Sequence, residues 1–220
     1  MIVDAATFRP AEKLRFLVLE GVNGAGKSTL QAAIVAELNK RGFETVATRE
    51  PGSTPLGERL RSIVLGCAAG ELTPLAELFL FSADRCEHVA RVIRPGLSSG
   101  KIVISDRYFY STIAFQGQGR GIDQDTIRNV NEFAIQGTLP DLVLLLDLDP
   151  SVGLARNRGA SMQSKGGDTF ESHAAEFHNR VRNSFLEMAK LRPEPFLLLS
   201  AAKPKDIVFQ DAWKVIEKHL

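Results

Sequence analysis

Gly21-Val22-Asn23-Gly24-Ala25-Gly26-Lys27-Ser28 carries the spacing G-x-x-x-x-G-K-[ST]. These residue types suit a triphosphate. The glycines let successive backbone N–H groups turn inward around phosphate oxygens. The N-terminus of the helix that follows adds partial positive charge at the same point. Lys27 then reaches the β- and γ-phosphates, and the Ser28 hydroxyl is a ligand for Mg²⁺. A nucleoside triphosphate with Mg²⁺ as cofactor follows, with Gly21, Val22, Asn23, Gly24, Ala25, Gly26, Lys27, Ser28 and Thr29 as the nucleotide-binding residues; the loop alone leaves kinases, GTPase switches, ATPase motors and binding modules open.

A second set is made of arginines. Arg49, Arg61, Arg85 and Arg107 fall in segments that a parallel sheet would bring to one rim. Phosphoryl transfer spreads charge over the moving group and both flanking phosphates, so it needs positioning and neutralisation. The planar guanidinium binds phosphate at two points. A GTP-dependent switch would instead carry N-K-x-D. The Asn39-Lys40 pair has Gly42 where that aspartate belongs, and no aspartate is followed three residues later by glycine.

These residues need a frame. Phe16 to Leu19 reads as a buried strand running into the glycine loop, followed by a helix from about Ser28 to Arg41 with Leu30, Ile34 and Leu38 along one face. Strands are expected at Glu44–Thr48, Lys101–Ser105, Leu142–Asp147 and Phe196–Leu199, and helices at Leu56–Cys67, Pro74–Leu97, around Ala174–Met188, and near Pro204–Leu220. The expected core stripe of the long helix is Leu75, Leu78, Phe79, Ser82, Cys86, Val89 and Ile93, with Phe81 and Arg85 four apart on a neighbouring face. Strands alternating with helices mean a parallel sheet wrapped by helices, with ligands beyond the strands' carboxyl ends. Arg49, Glu50, Asp106 and Arg107 sit at those ends. The polar stretch Gly159–Gly167 reads as a loop between helices, and residues 1–12 as a loose lead-in.

The 220 residues fit one domain, and 44% apolar content is enough for its core. A net charge of +1 directs the chain toward neither nucleic acid nor an anionic membrane, so local arginine clusters must catch an anionic substrate. Cys67 and Cys86, with no metal-ligand spacing around them, read as thiols in a reducing cytosol. No apolar run is long enough to span a bilayer, and a soluble cytoplasmic protein is expected.

Over nearly its whole length the sequence resembles bacterial thymidylate kinases. The landmarks are Glu20-Gly21 with the glycine loop, Thr48-Arg49-Glu50-Pro51-Gly52, Leu80-Phe81-Ser82-Ala83-Asp84-Arg85, Asp106-Arg107-Tyr108 with Ser111-Thr112 and Phe115-Gln116-Gly117, Gly119-Arg120-Gly121-Ile122, and Pro140-Asp141-Leu142. The resemblance implies a P-loop NTPase fold of the three-layer α/β/α kind, with a parallel five-stranded sheet. It implies one kinase domain over 1–220 with a lid segment at approximately 154–172. It implies transfer of the ATP γ-phosphoryl group to dTMP and a homodimer, with no nucleic-acid or membrane partner. A kinase for another deoxynucleotide and a nucleotide-binding module without turnover are the alternatives.

The resemblance also implies roles. Phe81 stacks on thymine and Arg85 bonds its O4, while Thr112 and Gln116 reach the base edge. Phe115 crowds the place of a ribose 2′-OH. Arg49, Glu50, Arg61 and Arg107 surround the monophosphate, and Asp106 joins Ser28 near the metal. Lys27, Arg107 and the lid arginines Arg156 and Arg158 are the catalytic cations. Three departures stand out. Asn23 replaces an acid in the loop, Phe115 replaces a tyrosine, and Asp168-Thr169 stands where many members have Asp-Arg.

Overall fold

Four apolar runs and one mixed edge segment become five parallel strands: β1 (Phe16–Glu20), β2 (Thr45–Arg49, the mixed edge), β3 (Ile102–Asp106), β4 (Leu142–Asp147) and β5 (Phe196–Ser200), in the order β2-β3-β1-β4-β5. The structure, a computed structural model, describes residues 13–68, 70–161, 175–191 and 195–220, and the backbone alone of 158–161. The expected lead-in at 1–12 and the lid residues 162–172 lie outside the described residues.

Strands β1 and β4 are almost wholly buried, as parallel strands covered on both faces must be. The register sets Asp106 level with Leu19 on one side and Arg49 on the other. The carboxyl ends of β1, β2 and β3 therefore form one rim carrying Glu20, Arg49 and Asp106. The chain leaves β1 toward β2 on one side, while β4 and β5 lie on the other, so a crevice opens beside β1.

Helices α1 (Lys27–Lys40), α2 (Pro55–Gly66), α3 (Pro74–His88), α4 (Arg94–Ser98), α5 (Phe109–Thr112), α6 (Gln124–Ile135), α7 (Pro150–Ser161), α8 (Ala175–Leu191) and α9 (Lys205–Ile216) surround the sheet. Leu30, Ile34 and Leu38 of α1 are buried as their spacing predicts. Two π-helical segments extend helices, Val89–Ile93 after α3 and Ile113–Gly119 after α5. The wider π turn re-aims side chains, a device common at functional sites.

Two expectations need correction. In α3, Leu75 is 50% and Phe79 58% exposed, whereas Glu77, Leu78, Ser82, Asp84, Arg85 and His88 are buried. The inward face is dominated by a polar network that apolar periodicity cannot register. The polar stretch expected to form a loop from Gly159 begins as helix, since α7 runs through Ser161.

Helix α7 meets the glycine loop backbone to backbone. A Cβ added at Gly24 would collide with the Gly153 carbonyl oxygen, and one at Gly153 with that of Asn23. Only glycine at both positions allows this approach. The segment bearing Arg156 and Asn157 is thereby fixed against the loop.

Candidate active site

Helix α1 begins differently from its neighbours. At α2, α3 and α6, a Thr54, Thr73 or Asp123 side chain accepts from the first turn. Helix α1 instead is preceded by Gly26, with φ 93°, and has no side-chain cap and no acidic residue in its first turn. Its N-terminal N–H groups are left for an external anion. The Lys27 ammonium lies inside the loop and donates to the carbonyls of Gly21 (3.2 Å) and Val22 (3.0 Å). Burial, with Arg107 nearby, lowers its pKa to about 8. An arriving phosphate would reverse that shift by supplying the opposite charge.

Ser28 and Asp106 meet at the mouth of the loop, the Ser28 hydroxyl donating to Asp106 Oδ2 at 2.7 Å. Arg107 follows with φ 75°, a backbone region that costs a bulky residue free energy. Its guanidinium reaches the start of the glycine loop, just past the end of β1. Nη1 donates to the Gly21 carbonyl and to Ser111 Oγ, both at 3.0 Å, and Nη2 donates to Asn23 Oδ1 at 2.6 Å. The guanidinium also lies 5.2 Å from the Phe115 ring centroid. Asn23, the departure from the family pattern, thus serves as an acceptor that orients Arg107.

Glu20 anchors the far side. It is fully buried and accepts from the Tyr108 N–H (2.9 Å), the Ser111 N–H (3.1 Å) and Ser111 Oγ (2.7 Å). Burial raises its pKa to about 7, and Arg107 and the hydrogen bonds restrain the rise. A carboxyl group raised on folding stabilises the protein fully below its unfolded pKa, and the benefit is lost as pH climbs through the folded value. The expected result is a melting-temperature difference, wild type minus Glu20→Gln, that shrinks as pH rises from about 4.5 to about 7. A constant difference in thermal melts across that range would contradict it.

A cleft of about 330 Å³ opens beside Arg107. Its walls include Arg49, Glu50, Arg61, Phe81, Arg85, Arg107, Thr112, Phe115 and Gln116, all nine residues expected to bind the phosphate acceptor. Arg85 is 2% exposed and sits in a polar network. Its Nε and Nη2 both reach Glu50 Oε2 at 2.8 Å, and Nη1 donates to Thr112 Oγ1 (2.9 Å) and Asn131 Oδ1 (3.2 Å). Glu50 Oε1 meets His88 Nδ1 at 2.8 Å, and His88 Nε2 meets Thr48 Oγ1 at 2.7 Å. Glu50 therefore turns inward and holds Arg85. A carboxylate turned toward an incoming phosphate would repel it. Arg49 pairs with Glu58 at the exposed edge, and Arg61 donates to the Pro51 carbonyl at 3.0 Å.

A second cavity of about 750 Å³ lies on the other side of the loop, lined by Gly24 to Leu30, Arg156, Asn157 and residues from Ala201 to Lys205. The two cavities share Gly24, Lys27, Ser28 and Asn157. Arg156 donates to the Ala201 carbonyl at 3.2 Å, which sets it on this second side. Arg158 belongs to α7 by its backbone, and its side chain lies outside the described residues. Gly21 and Val22 contribute their carbonyls to Lys27 and line neither large cavity.

Several contributors carry no role in the sequence reading. Tyr108, Ser111, Leu65 and Asn157 line the cleft beside Arg107. Asn131 reaches Arg85 from α6, an element the sequence reading leaves unassigned. Asp123 as its cap and the buried Ile127, Ala134 and Ile135 at helical spacing were the available signal.

A five-stranded parallel sheet, an uncapped glycine loop between its first strand and helix, and a lysine folded into that loop define a P-loop NTPase fold. A family model described as thymidylate kinase matches residues 19–212. The chain is 43% identical over 208 residues to the thymidylate kinase of Solidesulfovibrio magneticus, covering 93% of this chain and 100% of that one. It is 44% identical over 209 residues to that of Desulfovibrio desulfuricans, covering 93% and 96%. It is also similar to the crystal structure of thymidylate kinase from Ehrlichia chaffeensis, with a TM-score of 0.75, 32% identity, and coverage of 93% and 99%. The chain belongs to the thymidylate kinase family.

Proposed function

We propose that the chain transfers the γ-phosphoryl group of ATP to dTMP, giving dTDP and ADP for dTTP synthesis, within one domain whose lid segment includes the end of α7. The supporting observation is the junction of the two cavities. One carries an aromatic side chain, a buried arginine and amide and hydroxyl groups suited to a pyrimidine, and the other flanks the glycine loop. They meet at Lys27 and Ser28, so two phosphate chains entering from opposite sides would come head to head there.

In this reading ATP lies along the second cavity with its phosphates on Gly21 to Thr29. In the first, Phe81 faces the thymine ring and Arg85 its O4, with Thr112 and Gln116 at the base edge. Phe115 closes the space of a ribose 2′-OH. Arg49, Arg61 and Arg107 receive the 5′-phosphate, while Glu50 holds Arg85 in place. The phosphate oxygen of dTMP is already ionised at neutral pH, so the attack needs no general base. Lys27 and Arg107 lie where negative charge accumulates, and Arg156 and Arg158 would supply further positive charge as the lid closes and excludes water.

Ser28 and Asp106 form an oxygen-only pair beside the loop, which fits Mg²⁺ completed by nucleotide phosphates and water. When bound, the ion neutralises charge on the transferring phosphate. Among the described residues no cluster of three or more His, Cys, Asp or Glu could hold a metal unaided.

Homodimer formation belongs to the same proposal. Leu56, Ile63, Leu75 and Phe79 give α2 and α3 exposed apolar side chains for it. Action in the cytoplasm, where cysteines such as Cys67 and Cys86 stay reduced, belongs to it as well. No helix among the described residues is long and apolar enough to cross a membrane.

The test is ADP release with dTMP, dUMP, dCMP and dGMP as acceptors. The proposal requires dTMP to give the highest kcat/KM. Preference for another acceptor, or tight ATP binding with no ADP formed on any, would overturn it.

A further inference from the structure

We infer that Glu77, which lies behind the base-reading edge, determines discrimination against cytosine by fixing which way the Gln116 amide points; this rests on the dTMP reading of the first cleft. Glu77 is 3% and Gln116 2% exposed, yet Gln116 lines the cleft. Gln116 Nε2 donates to Glu77 Oε1 at 2.8 Å. Arg120 closes on the same carboxylate, with Nε 3.1 Å from Oε1 and Nη2 2.6 Å from Oε2. Arg120 stands four residues beyond Gln116, and its own N–H caps the π-helical segment on the Phe115 carbonyl at 2.9 Å.

The chemistry leaves one orientation. A carboxylate accepts hydrogen bonds and donates none. The amide nitrogen of Gln116 must therefore face Glu77, and the amide oxygen, which a carboxylate would repel, is the acceptor we place toward the cleft. Thymine presents a donor at N3–H and an acceptor at O4. Cytosine presents a lone pair at N3 and a donor at its 4-amino group. An acceptor from Gln116 beside the donors of Arg85 matches the first pattern and opposes the second at both positions. A site that leaves buried polar groups unpaired against the wrong base rejects it strongly. Without Glu77 the amide could turn over and present its nitrogen to cytosine N3. Glu77 touches no substrate in this arrangement and acts as a positioning residue.

The test is steady-state kcat/KM for dTMP and dCMP in Glu77→Gln, whose amide can donate or accept and so releases Gln116. The dTMP:dCMP ratio is expected to fall about tenfold, the weight of roughly one hydrogen bond, through a higher KM for dTMP, with the KM for ATP unchanged. In a Gln116→Leu background the same substitution should change the ratio by less than about twofold, because the group it acts through is gone. If loss of the carboxylate beside Arg120 prevents Glu77→Gln from folding, Glu77→Gln with Arg120→Met is read by the same criteria. An unchanged ratio, an equal loss of kcat on both acceptors, or a full effect in the Gln116→Leu background would each overturn the inference. A wild-type enzyme without preference for dTMP over dCMP would instead overturn the functional reading itself.

Discussion

Replacing Lys27 with alanine should lower kcat for dTMP phosphorylation by roughly 10³-fold, the scale seen when a group that neutralises transition-state charge is removed. Lys27 is buried, its ammonium rests on two loop carbonyls, and it stands at the junction of both cavities. The neighbouring cation, Arg107, is occupied with Gly21, Ser111 and Asn23 and cannot move into its place without abandoning all three. The same substitution should not lower the melting temperature. Burial depresses the lysine pKa to about 8, so at neutral pH the folded state bears a cost for that charge, and its removal relieves it. Rate and stability thus separate. Initial rates and thermal melts on one preparation check both, and a variant with near-normal kcat would sink the assigned role.

Arg85→Ala should behave in the opposite way, losing stability and acceptor binding together. Its guanidinium is the partner of a Glu50 carboxylate that is itself 3% exposed, and removing one member of a buried pair typically costs about 3–5 kcal/mol. Thr112 and Asn131 lose a donor at the same time. The KM for dTMP should rise about 100-fold, because a base oxygen would meet no donor, while the KM for ATP stays within about twofold. Partial unfolding cannot imitate that split, since it lowers the active fraction equally for both substrates. Urea denaturation with full saturation curves for each substrate provides the check. Equal changes in the two KM values would remove Arg85 from base reading and leave it only its structural part.

Most of the frame was legible because parallel strands buried on both faces, such as β1 and β4, are short continuous apolar runs, while the edge strand β2 is mixed and half-exposed. Leu142–Asp147 has the observed bounds, and the other four expected strands fall within one residue of theirs. The glycine loop was equally open to reading, since its function depends on backbone geometry that only a few residue types permit. The α3 face was not. Its inward side is held by Arg85, Glu50 and His88 pairing across segments more than 30 residues apart, and one helix's pattern contains no sign of its partners. Asn131 and Glu77 were hidden for the same reason, each serving a residue on another element. The direction of Glu50 was hidden too, because a carboxylate at the end of a strand can turn toward a ligand or toward an arginine with equal ease in sequence.

The central claim is that two phosphate chains enter from opposite cavities and meet at Lys27 and Ser28. A crystal structure of the protein with dTMP and a non-hydrolysable ATP analogue tests it most directly. The account predicts the thymine ring against Phe81 within reach of Arg85, its 5′-phosphate beside Arg107, and the triphosphate on the Gly21–Ser28 loop. A pyrimidine bound away from Phe81, or both nucleotides in the same cavity, would contradict it.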